Sequence, residues 1–321
     1  MGRSLAYGLL AGLFSAGLLL VGALGSLGGA VLSYLTALPL ALVGLMFGVP
    51  AVLVATVAGA ITAGSVNWLV GVEYLLGFGL PVAILVRQAL LARPATEAGV
   101  ASGDGALQWY TLGRLVAWLV GLASALVIIA ALAASGEEGG LSGLLAPVVQ
   151  MLLEQLQANR PELQGSADLE AMAGEIARRL PAVIAIGWMV LIGSNLALAQ
   201  GLAARFGRNL RPSPRFAALT LPRGFGILVA VAAVLAFMPG QPGVIGAAIL
   251  AAGGVAYFLQ GLAVVHALAR RTAVPGLVLV IVYTLVGLLG FPAILIVGLG
   301  LMEDWARIRR RFGGPGAGQE E

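Results

Sequence analysis

The sequence predicts an all-α protein: a polytopic transmembrane helical bundle of about eight spans, with a broken C-terminal helical hairpin and an external insert of two amphipathic helices. Hydrophobic residues make up 60% of the 321 residues and charged residues only 10%, against about 25% charged in soluble domains. The mean hydropathy is +1.01. Apolar runs long enough to cross a bilayer recur along the whole chain.

Five of the predicted spans precede the insert. They cover about residues 5–24, 31–47 and 51–70, a run that ends near 91, and about 109–134. Short Gly- and Pro-containing turns separate the first three, and a polar Gly/Ala/Ser loop at residues 94–107 precedes the fifth. The spacing is typical of helices that cross the membrane back and forth.

Residues 135–179 are richer in acidic side chains and predict an extramembranous insert. Each of its two helical patterns has an apolar stripe, the first formed by Leu144, Val148, Met151, Leu152 and Leu156, the second by Leu169, Met172, Ile176 and Leu180. The second helix begins near Ser166 or Asp168, and a sixth span begins at Pro181. The insert could lie on the membrane or cover the bundle, or it could form a lid over a cavity.

The sixth to eighth spans cover about residues 181–203, 224–237 and 244–268. The last apolar run, 276–302, contains Gly290-Phe291-Pro292, which predicts a break. The sequence therefore divides into an N-terminal membrane bundle (1–134), an extracytoplasmic insert (135–179), a C-terminal membrane bundle (180–312) and a tail (313–321) whose composition predicts disorder.

The arginines predict the topology. All 18 basic residues are arginine, and most lie in short loops, as expected for cytoplasmic loops under the positive-inside rule. The loops around Arg87–Arg114, Arg205–Arg223 and Arg270–Arg271 then face the cytoplasm with the N-terminus. A break at Gly290–Pro292 would return the C-terminal arginines to that side, so both termini are predicted to be cytoplasmic.

Two groups of polar residues are candidates for a solute site. Asn67, Trp68, Glu73 and Tyr74 stand at the junction of the third and fourth spans, where Trp68 and Tyr74 suit the lipid–water interface. Glu73 could be a solvated interfacial carboxylate or a ligand-binding one.

The second group, Asn195, Tyr257 and Gln260, lies near the middle of apolar runs. Polar side chains at that depth need partners. They could satisfy one another where two helices meet, or they could bind a small molecule, since transporters bind solutes near the midplane.

Composition excludes several kinds of chemistry. The chain has no cysteine and no lysine, and His266 is its only histidine. A Walker-type ATPase needs a P-loop lysine, which the chain lacks. With a single histidine, we expect neither a multi-histidine metal site nor a Ser-His catalytic site within one chain. We therefore expect no enzyme activity, no cofactor, no metal and no nucleic-acid partner.

The segment YFLQGLAVVHALARR, the break at Gly-Phe-Pro and the closing MEDWARIRRRF resemble the C-terminal region of the YybS-like family of bacterial membrane proteins. The resemblance extends over nearly the whole chain and is strongest between Tyr257 and Arg311. It implies location in the bacterial cytoplasmic (inner) membrane. The family is distantly similar to the S components of energy-coupling-factor transporters, which bind solutes and partner with a separate coupling membrane protein and ATPases.

This similarity implies roles for particular residues. Gly8, Gly12 and Ala16 form a small-residue ridge on the first span, a feature of helix packing that S components use as a coupling surface. Solute would enter from outside, near the junction that contains Asn67 and Tyr74. S components typically have six spans, so the predicted span count and the insert depart from that pattern.

Two functions follow as hypotheses. The chain could be a solute-binding membrane subunit of a transporter that separate proteins energise, because it has no nucleotide site of its own. Alternatively, it could be a non-transporting membrane scaffold or assembly protein that docks a partner through its insert. In both cases the lipid bilayer surrounds most of the chain.

Overall fold

A computed structural model describes residues 2–23, 25–94, 107–160, 167–306 and 308–311, so the predicted tail and most of the predicted 94–107 loop lie outside the described residues. The described chain is almost entirely helical. The helices are α1 (Gly2–Gly22), α2 (Leu27–Ser33), α3 (Ala37–Phe47), α4 (Val49–Val66), α5 (Trp68–Tyr74), α6 (Leu80–Ala89), α7 (Leu112–Ala133), α8 (Gly140–Asn159), α9 (Ala167–Arg205), α10 (Phe225–Ala236), α11 (Gln241–Ala269), α12 (Pro275–Leu289), α13 (Pro292–Ala306) and α14 (Ile308–Arg311).

Five short elements of three kinds complete the described structure outside the α-helices. A π-helical segment, Leu75–Gly79, joins α5 to α6. Strands β1 (Ala92–Pro94) and β2 (Leu107–Trp109) form an antiparallel pair before α7, which the sequence analysis did not predict. Single 3-10 turns follow α7 and precede α10.

Within the described residues, seven helices are long and apolar enough to cross a membrane. They are Gly2–Gly22, Leu27–Phe47, Val49–Val66, Trp68–Ala89, Leu112–Gly136, Met172–Arg205 and Gln241–Ala269. The all-α polytopic bundle is thus confirmed. The span predicted at 224–237 is instead the shorter helix α10, whose 12 residues rise only about 18 Å against the roughly 30 Å of a hydrocarbon core.

The chain forms two compact units. Unit 1 consists of Met1–Leu119 and Val190–Thr220, and unit 2 of Val120–Met189 and Leu221–Glu321. Helices α7 and α9 each contribute residues to both units. The domain boundaries expected at 134 and 179 stay a prediction.

In unit 1, α1 packs closely along α4. A Cβ atom on Gly8 or Gly12 would overlap the carbonyl oxygens of Ala51 and Ala55, so only glycine permits this approach. Ala16 is fully buried on the same face. The small-residue ridge is therefore a helix-packing surface covered by its own chain. Gly8, Gly12 and Ala16 therefore lack the exposed surface that the expected coupling role requires.

In unit 2, α11 packs between α10 and α13. Gly261 lies against the backbone at Ile296, and Gly300 lies against the carbonyl of Tyr257, so the two helices cross almost in backbone contact. Because the later residue of α11 meets the earlier residue of α13, α13 runs antiparallel to α11.

The predicted C-terminal break is confirmed. Helix α12 ends at Gly290, whose φ of 70° lies in the left-handed region that favours glycine, and α13 begins at Pro292. If residues 276–302 crossed the membrane once, α13 would run antiparallel to α11, and this is the direction that it has. A hairpin would make α13 parallel to α11. The return of the C-terminus to the cytoplasmic face is therefore not supported and stays a prediction.

The insert is a pair of helices, but its second helix has no break at Pro181. Helix α9 runs for 39 residues through Pro181 into the membrane-spanning segment, because a proline removes only one helical hydrogen bond and neighbouring turns continue past it. Val149 of α8 and Ala173 and Ala177 of α9 form their shared core. The side of the membrane on which this pair lies stays a prediction.

We expect Gly12→Leu to destabilise unit 1 by about 1–3 kcal/mol, because the new side chain would overlap the α4 backbone at Ala55. Gly17→Leu is the matched control on the same helix, since a Cβ at Gly17 meets open space. Thermal unfolding of the purified protein in detergent measures the difference. Equal melting temperatures for the two variants would contradict the close packing of α1 on α4.

Candidate functional site

The candidate site is a polar centre in unit 1, built where a membrane-spanning segment is broken. The segment Leu27–Phe47 has the length of one span, but residues 34–36 form turns between α2 and α3. The C-terminal end of α2 leaves carbonyl groups without helical partners, and in lipid each needs another donor. The polar centre consists of the side chains that supply those donors, together with their neighbours.

The carbonyl oxygen of Thr36 accepts a hydrogen bond of 2.6 Å from the Oγ of Ser15, in α1. Tyr74, at the end of α5, donates its hydroxyl to the same Ser15 Oγ over 2.8 Å. Ser15, Thr36 and Tyr74 are all fully buried. These bonds form a chain, Tyr74 to Ser15 to the Thr36 carbonyl, that joins three transmembrane segments.

A second irregularity adjoins this chain. The π-helical segment Leu75–Gly79 begins directly after Tyr74, and Thr56 donates its hydroxyl to the Gly79 carbonyl over 3.2 Å. Gly59 of α4 makes room for the Tyr74 ring, because a Cβ there would overlap the phenol oxygen. Single π-helical turns within α-helices are frequent at functional sites. Neither this segment nor the α2–α3 break is predicted by the sequence pattern.

The other carbonyl at the break belongs to Tyr34, and Asn195 of α9 satisfies it. Asn195 Nδ2 donates to Tyr34 O over 2.9 Å and to Leu191 O over 2.8 Å. Both partners are carbonyls, so this amide orientation is the one that the hydrogen bonds require.

The remaining polar atom of this amide is exceptional. Asn195 is 1% exposed, yet its Oδ1 accepts no hydrogen bond from any residue that the structure describes. At the preceding residue, the hydroxyl of Ser194 donates to the hydroxyl of Tyr34 over 3.5 Å, and both residues are exposed. A buried acceptor that lacks a donor is costly, so this oxygen is the polar atom of the centre that calls for an explanation.

The structure places the first predicted group of residues differently from expectation. Tyr74 was expected at the lipid–water interface, but it is buried in the polar centre. Asn67 accepts from the backbone N–H of Leu69 and so caps α5, while Trp68 is 70% exposed and Glu73 is also exposed. Of these four, only Tyr74 joins the polar centre, because its position next to the π-helical segment directs its ring inward.

The second predicted group divides between the two units. Asn195 belongs to unit 1, whereas Tyr257 and Gln260 belong to unit 2 and bond to Asp304 at the end of α13. Tyr257 donates to Asp304 Oδ2 over 2.9 Å, and Gln260 Nε2 donates to Asp304 Oδ1 over 2.7 Å.

Gln260 is satisfied at both ends of its amide. Its Nε2 also donates to Gly300 O, and its Oε1 accepts from Leu221 N over 2.6 Å. The Tyr257–Gln260–Asp304 cluster therefore fixes the crossing of α11 with α13. The role of Asp304 was missed, although Gly300 and Asp304 share a helix face at i, i+4 spacing.

Chemically, the polar centre can bind neutral hydrogen-bonding groups. Ser15, Tyr34, Thr36, Tyr74 and Asn195 supply hydroxyl and amide groups without a formal charge. Across the described residues, no group of three or more His, Asp or Glu side chains could hold a metal ion.

We expect Ser15→Ala to cost about 1–3 kcal/mol of unfolding free energy, because it leaves the buried Tyr74 hydroxyl without a partner and removes the side-chain hydrogen bond to the Thr36 carbonyl. Tyr74→Phe removes one donor only, so it should cost less, about 1 kcal/mol. Tyr7→Phe is the control, since Tyr7 is half exposed and stacks on Phe47. Thermal melts that ranked Tyr7→Phe with Ser15→Ala would contradict the hydrogen-bond chain.

Comparison with known proteins identifies the family of the chain. A family model described as a predicted membrane protein, DUF2232, matches residues 13–303. No curated protein and no solved structure matches the chain. The matched range includes every residue of the polar centre and most of both compact units. The chain therefore belongs to the DUF2232 family of predicted membrane proteins.

Proposed function

We propose that the chain is a solute-binding membrane subunit of a transporter that separate proteins energise. The observation that carries this proposal is the buried Oδ1 of Asn195, an acceptor without a donor at a broken transmembrane helix. A structural amide would be expected to satisfy both of its ends, as Gln260 does in unit 2. A solute with an N–H or O–H group would supply the donor that Asn195 lacks.

The backbone around Asn195 supports a binding role. Transporters commonly bind solutes where membrane helices are discontinuous, since irregular backbone is tolerated there only when protein or a cavity surrounds it. The α2–α3 break and the π-helical segment both adjoin the polar centre, on two different spans. Irregular backbone in two neighbouring spans costs free energy in lipid. We infer that this cost is retained because the site has a function.

The composition of unit 1 is the second support. It contains three complete spanning segments before residue 67, the segment Trp68–Ala89, the start of α7 and the end of α9. These amount to six membrane helices in whole or part, the number typical of S components. The additional helices α8 and α10–α14 belong to unit 2.

Energy would have to come from a partner, because the chain has no lysine and so no P-loop. The partners proposed here are a coupling membrane protein and an ATPase in the bacterial cytoplasmic membrane. The ridge at Gly8 and Gly12 cannot be the contact, since α4 already covers it. Coupling would use another face of the bundle.

A thermal-shift screen of the purified full chain against water-soluble vitamins tests the proposal. A bound solute should raise the melting temperature in a concentration-dependent way. Asn195→Leu should abolish that shift, because it removes the acceptor that meets the solute. Gln260→Leu is the matched control: it also removes a buried amide, and it should lower the melting temperature but keep the solute-dependent increase.

The proposal fails if no solute in the panel shifts the wild-type protein and neither a coupling protein nor an ATPase co-purifies with it. It also fails if Asn195→Leu and Gln260→Leu retain the same solute-dependent increase. In that case the solute would bind away from the polar centre.

A scaffold or assembly role is the alternative, and one observation favours it. Leu144, Met151 and Leu152 of α8 are 47%, 53% and 54% exposed, so the insert presents an apolar stripe beyond the one that packs on α9. Exposed apolar stripes on amphipathic helices are common docking surfaces for partners or lipid.

Under the scaffold alternative, deletion of residues 140–178 should abolish co-purification of a defined partner while the remaining membrane bundle stays folded. A triple change of Leu144, Met151 and Leu152 to Ser should have the same effect without shortening α9. Changing Gln150 and Glu154 to Ser, on the exposed polar face of α8, is the control. Unaltered partner recovery in the triple variant would exclude docking by this stripe.

A further inference from the structure

A small cleft lies at the end of unit 1 where β1, β2 and the start of α7 meet. It has a volume of about 210 Å³, and its lining includes Arg93, Gln108, Trp109, Tyr110 and Arg114. Helix α6 ends just before β1, and α7 begins just after β2. The cleft therefore lies where two membrane-spanning segments, Trp68–Ala89 and Leu112–Gly136, reach their ends.

Tyr110 is the fixed point of this cleft. Its backbone N–H donates to Leu91 O over 2.9 Å, and its hydroxyl accepts from Trp118 Nε1 over 3.0 Å. The guanidinium of Arg114 lies 5.6 Å from the centre of its ring. Arg211 donates to its carbonyl over 3.3 Å. These four contacts fix the position of Tyr110 in the wall of the cleft.

Among the residues that the structure describes, the charged groups in contact with Tyr110 or its neighbours in the cleft are arginines. Arg93 donates to the neutral Gln108 over 2.8 Å, Arg114 stacks on the Tyr110 ring, and Arg211 donates to the carbonyls of Ala89 and Tyr110. Among the residues that the structure describes, none of these three arginines forms an ion pair.

Arg211 is the most buried of these three arginines. It is 5% exposed, and its Nε has no hydrogen-bond partner in the described chain. Burial lowers its pKa, because desolvation disfavours the charged form, but a guanidinium in a protein stays protonated. A buried cation without a counter-ion is costly, and an anion in the neighbouring cleft would offset that cost.

We propose that this cleft binds the phosphate of an anionic lipid headgroup. Guanidinium groups match phosphate with paired, charge-assisted hydrogen bonds, and Arg93 and Arg114 line the same cleft. Trp109 and Tyr110 supply the aromatic side chains that are enriched at headgroup level. Basic pockets between membrane helices are a known way of holding anionic headgroups. This site is separate from the polar centre and does not depend on the proposed transport function.

Native mass spectrometry of the full chain in detergent, titrated with phosphatidylglycerol, tests the proposal. Phosphatidylcholine, whose headgroup has no net charge, is the comparison lipid. We expect phosphatidylglycerol to bind preferentially, and the Arg93→Gln, Arg114→Gln double variant to lose that binding by roughly tenfold or more. The control is Arg178→Gln with Arg179→Gln, which removes the same charge from arginines that pair with Glu175 in the insert.

Equal loss in the two double variants would overturn the proposal, because it would show a general charge effect. Equal binding of the two lipids by the wild type would also overturn it. If the first double variant does not fold, Arg114→Lys keeps the charge but loses the paired hydrogen bonds, and it should weaken binding while the melting temperature stays near that of the wild type.

A further arm distinguishes the lipid from a soluble source of phosphate. Inorganic phosphate at millimolar concentration should not displace phosphatidylglycerol, because the headgroup is held beside the ends of two spanning helices where its acyl chains also bind. Displacement by inorganic phosphate, lost in the Arg93/Arg114 variant, would overturn the assignment to lipid and identify the cleft as a site for a soluble phosphate anion.

Discussion

The hydrogen bonds at the break between α2 and α3 are the constraint on which unit 1 depends. In hydrocarbon, a carbonyl that leaves a helix cannot turn to water, so the Tyr34 carbonyl at the end of α2 needs a donor from another helix, and Asn195 supplies it. Ser15 donates to the carbonyl of Thr36, the N-cap residue of α3, and Tyr74 in turn bonds to Ser15. Three otherwise apolar segments are thereby held around one break. The unpartnered oxygen of Asn195 stands out for the same reason, since the buried hydroxyls of Ser15 and Tyr74 and the neighbouring carbonyl of Tyr34 have hydrogen-bond partners.

Close helix packing at glycine residues stabilises both units in addition to these hydrogen bonds. Without strong hydrophobic forces between helices in lipid, close backbone approach is a main source of attraction, and it requires small residues at the crossing. Gly8 and Gly12 allow α1 to lie along α4, and Gly261 and Gly300 allow α11 to meet α13. At the second crossing, Gln260 and Asp304 add hydrogen bonds beside the glycines. Polar residues thus fix the register of contacts that glycine makes possible.

The same kind of residue serves two purposes in this chain. Asn195 and Gln260 are both buried amides in long membrane helices, and sequence alone gives no reason to separate them. Their surroundings do so: Gln260 has partners for its oxygen and its nitrogen, whereas Asn195 has partners for its nitrogen only. The arginines behave similarly. Arg178 and Arg179 of the insert pair with Glu175. Arg93 and Arg114 line a cleft without a carboxylate among the described residues, and Arg211 donates to the carbonyl of Tyr110 beside it.

The sequence by itself determined that this is an all-α membrane protein, where most spans lie, and that the last apolar run breaks at Gly290. Composition and local periodicity decide these features, because the bilayer imposes its thickness on every apolar run. Only the tertiary structure decided which polar residues meet. It buried Tyr74 against Ser15, assigned Asn195 to Tyr34 and paired Gln260 with Asp304. These partners lie 44 to 161 residues apart in the chain, and the α2–α3 break beside the unit 1 pairs has no glycine or proline at residues 34–36 to predict it.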